Sequence, residues 1–280
     1  MTNRHMSFRH SRILALGAVA LSAMLFHSNA SAYNFNNETC NVQLDGDILL
    51  TNTMLTITTT DNDQIELSES GNAVINGQSI DLTRAQRQDV IAYVDGFEAT
   101  VPKAMALAAK AIELTNEALT EVFTGLLGEG SELPKLLNKR LNELQQKLES
   151  TVYPSPGTLV FDSRTFGSNI YNDKQETQTE FERDLDQAIE EITSSAMAEM
   201  LVLIGKSMLS GDGAMQDFET RMQTMGDNID AAVSTQSEAL EQDATALCED
   251  LIAIDETEDK LQSITELKDL NLLNVSANRA

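Results

Sequence analysis

The 280-residue chain predicts an α+β fold that is mainly α: a small N-terminal antiparallel β-sheet packed on long helices, with an antiparallel helical hairpin in the C-terminal half. Three observations predict it. Between Cys40 and Asp81, short runs rich in Ile, Val, Leu and Thr are separated by Asp-Gly, Asp-Asn-Asp, Ser-Gly-Asn and Asn-Gly, the pattern of strands and tight turns. From Thr83 the apolar residues recur at three and four, the period of amphipathic helices. Ser210-Gly211-Asp212-Gly213 then separates two long periodic stretches, so they should fold back on each other.

The chain opens on an export signal. Arg4, Arg9 and Arg12 precede the apolar run Ile13 to Phe26, and the triplet Ala30-Ser31-Ala32 follows; that order of features makes residues 1–32 a secretory signal peptide. The apolar run has 14 residues, short of the about 20 that a spanning helix needs, so a membrane anchor fits less well. Cleavage is expected between Ala32 and Tyr33. A tyrosine would then follow the cut, not the cysteine of a lipoprotein, and no later segment suits stable membrane insertion. The remaining 248 residues suffice for one sizeable core or two small domains.

Residues 33–82 should form the sheet, from VQL (42–44), ILLT (48–51), MLTITTT (54–60), QIEL (64–67), AVI (73–75) and QSID (78–81). Asn76-Gly77 is the clearest hairpin turn, since both residues tolerate positive φ. A sheet this thin needs helices over one face.

Residues 83–254 read as a long-helix bundle. Thr83-Arg84-Ala85-Gln86 is a capping box that opens a helix to about Ala99. Pro102 marks a boundary, and a second helix carries Leu107, Ala111, Leu114, Ala118 and Val122 on one face as far as Gly128-Glu129-Gly130. A third, from Pro134 to Ser150, spaces Leu137, Leu141, Leu144 and Leu148 by four, three and four. TLVFDS (158–163) is a strand-like interruption suited to rejoining the N-terminal sheet, which would make one domain of the whole. From Glu176 the helical pattern resumes with Leu185, Ile189, Ile192, Ala196 and Leu203 as a core stripe. After the Gly-Asp-Gly turn, Met215, Phe218, Met222, Met225, Ile229 and Ala232, then Leu240, Ala244, Leu247, Leu251 and Ile254, continue a coiled-coil-like period. Residues 255–280 form an acidic amphipathic tail, with Leu261, Ile264, Leu267 and Leu270 ahead of a frayed end.

Composition excludes several chemistries. All three histidines, His5, His10 and His27, precede the expected cut, and tryptophan is absent. Ser-His-Asp and Cys-His nucleophiles need an imidazole to carry the proton, and most catalytic zinc sites need imidazole ligands, so neither is expected in the mature chain. Removing the three arginines of the signal leaves 44 Asp and Glu against 16 Lys and Arg, moving the net charge from −25 to −28. Such acidity repels phosphate backbones and anionic lipid, so no nucleic-acid partner is expected. Lys135, Lys139, Arg140 and Lys147 are interleaved with Glu132, Glu143 and Glu149 and read as a solvated helix face, with Glu143 and Lys147 an i,i+4 pair.

Cys40 and Cys248 are the only cysteines, and an export signal sends them to an oxidising compartment. One structural disulfide between them is expected, with free thiols or an intermolecular bridge as the alternative. No CxxC supports a redox role.

The segment NGQSIDLTRAQRQDVIAYVDGFEATVP, residues 76–102, resembles the YggN-like family of exported bacterial proteins, through Asn76-Gly77, Leu82, Ala85-Gln86-Arg87, Tyr93 and Pro102. Fainter likeness extends over the mature chain: a cysteine before the small strands, a second late in the last long helix, and the TLVF interruption. The acidic C-terminal tail is longer than the family's pattern. The resemblance implies a periplasmic location in a Gram-negative envelope, and implies no activity or catalytic residue.

Met197, Met200, Met208, Met215, Met222 and Met225, with Phe218, form the most distinctive local enrichment. Core packing is their expected role, an adaptable partner groove the alternative, and Cu(I) ligation a distant third. Asp45-Gly46-Asp47 and Asp61-Asn62-Asp63 lack the rest of a calcium loop and read as turns. No cofactor, metal or catalytic residue is expected. The chain reads as a non-enzymatic scaffold or chaperone-like module for another envelope protein, with homo-oligomerisation open. Two rivals stand beside this: a histidine-free hydrolase using paired carboxylates or a Ser-Lys pair, and a carrier of a small apolar ligand.

Overall fold

The computed structural model describes residues 33–36, 40–128, 130–166, 179–210 and 213–277, with side chains excepted at 33–36, 206–210, 213–219, 221–235 and 277. The signal peptide and Ala32 lie outside the described residues.

Among the described residues nine strands and four α-helices follow one another, a mainly α member of the α+β class as the sequence predicts. Strands β1 (Tyr33–Asn36), β2 (Cys40–Leu44) and β9 (Leu273–Ala277) make a three-stranded antiparallel sheet in the order β1-β2-β9. A second sheet has the order β7-β6-β5-β4-β3-β8, from β3 (Gly46–Thr51), β4 (Met54–Thr59), β5 (Gln64–Ser68), β6 (Ala73–Ile75), β7 (Gln78–Ser79) and β8 (Val160–Asp162). The interruption at 158–163 does return to the sheet: Leu50 pairs with Phe161 and Thr51 with Val160. Asn76 and Gly77 turn the β6–β7 hairpin at φ 50° and 79°, as the two positive-φ positions of a type I′ turn require.

Helix α1 (Arg84–Leu127) starts at the expected capping box, with the Gln86 N–H donating to Thr83 Oγ1 at 3.3 Å and the Thr83 N–H to Gln86 Oε1 at 2.9 Å. It does not stop near Ala99. Pro102 lies inside one continuous helix, because Val90, Tyr93, Val94, Phe97 and Val101 bury one face in the core on its N-terminal side, and packing of that face outweighs the single hydrogen bond that a proline removes. Helix α2 (Leu133–Val152) buries Leu137, Leu141, Leu144 and Leu148, the leucines of the expected stripe. Helices α3 (Glu180–Ser210) and α4 (Gly213–Leu261) occupy the two stretches of the expected hairpin, whose turn at 211–212 lies outside the described residues, and α4 runs seven residues past Ile254.

The tail corrects the sequence reading. Ile264, Leu267, Leu270, Leu272 and Leu273 are buried, and β9 closes on β2 with Cys40 opposite Ala277 and Leu44 opposite Leu273. An amphipathic run beside an open strand edge satisfies two demands at once: its apolar residues complete the core and its backbone pairs the edge. Gly46 permits the closure, since a Cβ there would stand 2.7 Å from the Thr58 carbonyl oxygen and 3.1 Å from Leu272 Cδ1. At Gly96 a Cβ would meet Ile254 Cγ1 at 2.9 Å, so glycine sets the close approach of α1 and α4.

Two apolar clusters result. The larger joins Leu50, Leu55, Ile57 and Leu67 of the sheet to Val90, Tyr93 and Val94 of α1, Ile254 and Leu261 of α4, and the C-terminal leucines. The smaller lies among helices, with Leu137, Leu141, Leu144 and Ala188 against Ile112, Leu119, Phe123, Leu185 and Ile192.

Candidate functional site

Cys40 and Cys248 are bonded to each other, with Cα atoms 6.1 Å apart, and both are buried. The bridge ties the start of β2 to the late part of α4. Tyr33, the residue expected to follow the signal, begins β1.

One buried polar constellation lies further along α4. Glu258 of α4 is 1% exposed. Its Oε2 accepts the hydroxyl of Tyr93 from α1, and its Oε1 accepts the backbone N–H groups of Leu272 at 2.7 Å and Leu273 at 3.3 Å. Burial pushes the carboxyl from its ordinary 4.5 up to about 7 against the lowering effect of those donors, and nearby Asp255 adds to the rise. Tyr93 is fully buried, packed edge-on against Phe97 with ring centroids 5.1 Å apart, and burial beside Glu258 holds its phenol well above the ordinary value. Asp255 accepts the Val275 N–H at 3.3 Å. Together the two carboxylates fasten the C-terminal strap to α4. Glu258 continues the stripe Leu247, Leu251, Ile254 and precedes Leu261; a charged residue on an apolar period is the one signal of it that the sequence carries.

A perturbed carboxyl can also mark an acid-base site. Here both oxygens are occupied by protein donors and the residue is sealed from solvent, which is the arrangement of a latch. Asp47 of β3, 6% exposed, is the other buried carboxyl among the described residues. Burial raises its pKa, while Arg164 lowers it; Arg164 itself grips Asp162 through two hydrogen bonds of 2.8 and 2.7 Å.

A groove of about 580 Å³, open to solvent, lies between α1 and α2. Pro102, Met105, Ala106, Ala109, Leu148 and Tyr153 line it, and Glu149 is its one carboxylate. Among the described residues no cluster of His, Cys, Asp and Glu is suited to a metal ion, and no helix is long and apolar enough to cross a membrane.

The registers of the helix pairs define the remaining feature. On α1, Lys103, Lys110 and Glu117 bond in turn to Asp250, Asp243 and Gln236 of α4, so each seven-residue step on one helix is answered by seven on the other. On α2, Arg140 bonds Glu191 and Lys147 bonds Asp184 of α3, while the Glu132 N–H donates to Glu199. Arg140 and Lys147 therefore face α3, while Lys135 and Lys139 pair locally with Glu132 and Glu143. Lys147 reaches Asp184 and Glu180, whereas Glu143 takes Arg140; the expected Glu143–Lys147 pair gives way because an acidic helix lies alongside.

These registers put the start of α2 opposite residue 198 and the end of α1 opposite residue 226. The last dozen residues of α3 and the first dozen of α4 therefore project beyond the other two helices, by about 18 Å at 1.5 Å per residue. The exposed apolar residues gather there. Seven large hydrophobic side chains are exposed among the described residues, and five of them are on α3: Met200, Leu201, Val202 and Ile204 in the projecting part, and Met197 just before it. Met197 is 63% exposed and Met200 45%, which corrects the expectation that these two methionines pack in the core: Met200 lies beyond the start of α2 in the register, and Met197 is level with its first turn alone. The side chains of Met208, Met215, Phe218, Met222 and Met225 lie outside the described residues, although their backbone belongs to α3 and α4.

No curated protein matches the chain, and no solved structure matches it. A family model described as Protein of unknown function (DUF2884) matches residues 40–273, from the first half of the disulfide to the strand that closes the fold. Covering most of the 280 residues, that match makes the chain a member of this uncharacterised family.

Proposed function

We propose that the protein is a non-enzymatic interaction module of the Gram-negative periplasm, a scaffold or chaperone-like holder that engages another protein through the projecting tip of α3 and α4. The observation that carries this reading is the stripe Met197, Met200, Leu201 and Ile204, spaced by three, one and three, left 45 to 70% exposed where the covering helices end. Contiguous exposed hydrophobics rimmed by polar residues are the usual mark of a protein-binding surface. Methionine suits such a surface, since its unbranched thioether adapts to varied partners. Export, and the YggN-like likeness of residues 76–102, support the compartment, and the Cys40–Cys248 bond suits an oxidising one. A non-enzymatic role is favoured by the position of Glu258, whose raised pKa serves a sealed structural latch.

The test is whether the purified protein holds an unfolded client in solution and whether a photo-crosslinker at Leu201 captures it. Suppressed aggregation with crosslinks at 201 but not at exposed Gln64 of β5 supports the proposal; no suppression and no crosslink at either position refutes it. A second reading rests on the groove at Pro102, Met105 and Tyr153: its apolar lining suits transient binding of a small apolar ligand. Native mass spectrometry that shows only the bare protein after incubation with fatty acid removes that reading.

A further inference from the structure

We infer that the occupant of the α3–α4 tip is a cationic, amphipathic segment of another protein, an inference that rests on the tip being the binding surface. Charge carries the choice. In the segments that make the tip and the end of the bundle beneath it, 113–135 and 196–241, there are thirteen carboxylates, and Lys135, Lys206 and Arg221 are the only cations. One of the three is already engaged, as Lys135 bonds Glu132 at 2.9 Å. By that count the apolar stripe is flanked along the chain by a net-negative collar. Against that collar, a segment carrying Leu or Phe on one face and Lys or Arg beside it gains both apolar contact and Coulomb attraction, while an acidic segment of equal hydrophobicity is repelled.

A second copy of this chain fits less well on two counts. It brings the same negative collar, at an overall net charge of −25 per chain. The tip is also small: a length of about 18 Å and a width of two helices, about 20 Å, give roughly 350 Å² per partner, well under the about 800 Å² per partner of a standard stable interface. That area suits weak, reversible capture of a short segment.

The experiment uses the purified exported protein with its disulfide intact, two fluorescein-labelled helical peptides of equal length, one built of Leu and Lys and one of Leu and Glu, and anisotropy at low and at 0.5 M salt. The expected result is at least about tenfold tighter binding of the Leu–Lys peptide at low salt, a preference that collapses at high salt as screening shortens the reach of the collar. Leu201→Ser with Ile204→Ser should weaken that binding about tenfold while the circular dichroism melt stays in place, since both positions are exposed. Equal affinity for the two peptides, lost in the double variant, overturns the inference about charge and leaves the tip as a binding surface. Failure of both peptides to bind overturns both. Sedimentation equilibrium showing a dimer that the double variant dissolves overturns the cationic partner in favour of a second copy.

Discussion

At the sheet end of the molecule Leu50, Leu55 and Leu67 are 0% exposed, whereas at the far end of α3 Leu201 is 70% exposed. The same side chain serves opposite purposes in the two places. At the sheet end everything is closed: two sheets, α1, the end of α4 and the C-terminal strap share one core, stapled by Cys40–Cys248 and fastened by Glu258. At the tip two helices run on after their neighbours have stopped. A protein that concentrates its stability at one end is free to leave apolar surface at the other without unfolding, because stability there costs little to lose.

The comparison breaks most readily at the staple. Replacing Cys40 and Cys248 together by serine frees a loop of 208 residues, worth about 5 kcal/mol in the chain-entropy account, and urea melts should show the loss. Leu67→Ala at the sheet end should cost about 3 kcal/mol through lost burial and a residual cavity. Leu201→Ala at the tip should cost less than about 0.5 kcal/mol. Equal costs at the two positions would dissolve the distinction between the ends.

The latch gives a pH signature to the closed end. Glu258 loses its proton near pH 4.5 when the chain is unfolded and near 7 when it is folded. Its contribution is therefore fully present below pH 4.5 and lost as the pH rises through 7, a change of roughly 3 kcal/mol. Glu258→Gln keeps an acceptor for the Leu272 N–H and an amide for Tyr93 without the charge. The difference in urea midpoint between this variant and the parent should grow in favour of the variant between pH 4.5 and 8; a constant difference would show that Glu258 does not titrate in that window. The smallest effect belongs to the α2–α3 seam. Lys147→Ala should change stability by less than about 1 kcal/mol, since its partners Glu180 and Asp184 are largely solvated.

Local patterns carried much of this architecture. The Asn76-Gly77 turn, the Thr83–Gln86 capping box and the leucine stripe of α2 are written in short spacings, and each formed as read. What stayed hidden depends on partners distant in the chain. Pro102 reads as a boundary until the packed face of the preceding turns is known. The tail reads as a solvated amphipathic end until β2 supplies an edge for Val275 and its neighbours. Buried Glu258 is explained only by Tyr93, 165 residues away. The methionines were legible as an enrichment, but their exposure follows from where α2 begins opposite α3, a register that no local pattern encodes.

The central claim is that the sheet end holds the fold and the tip does the binding. The most direct measurement sets two variants side by side, Leu201→Glu with Ile204→Glu at the tip and Leu67→Ala at the sheet end, recording for each the thermal midpoint and the suppression of client aggregation at a temperature where both are folded. The account predicts that the tip variant keeps its midpoint within about 2 °C and loses suppression, while the sheet variant loses several degrees and keeps suppression. A tip variant that still suppresses aggregation as well as the parent would contradict it.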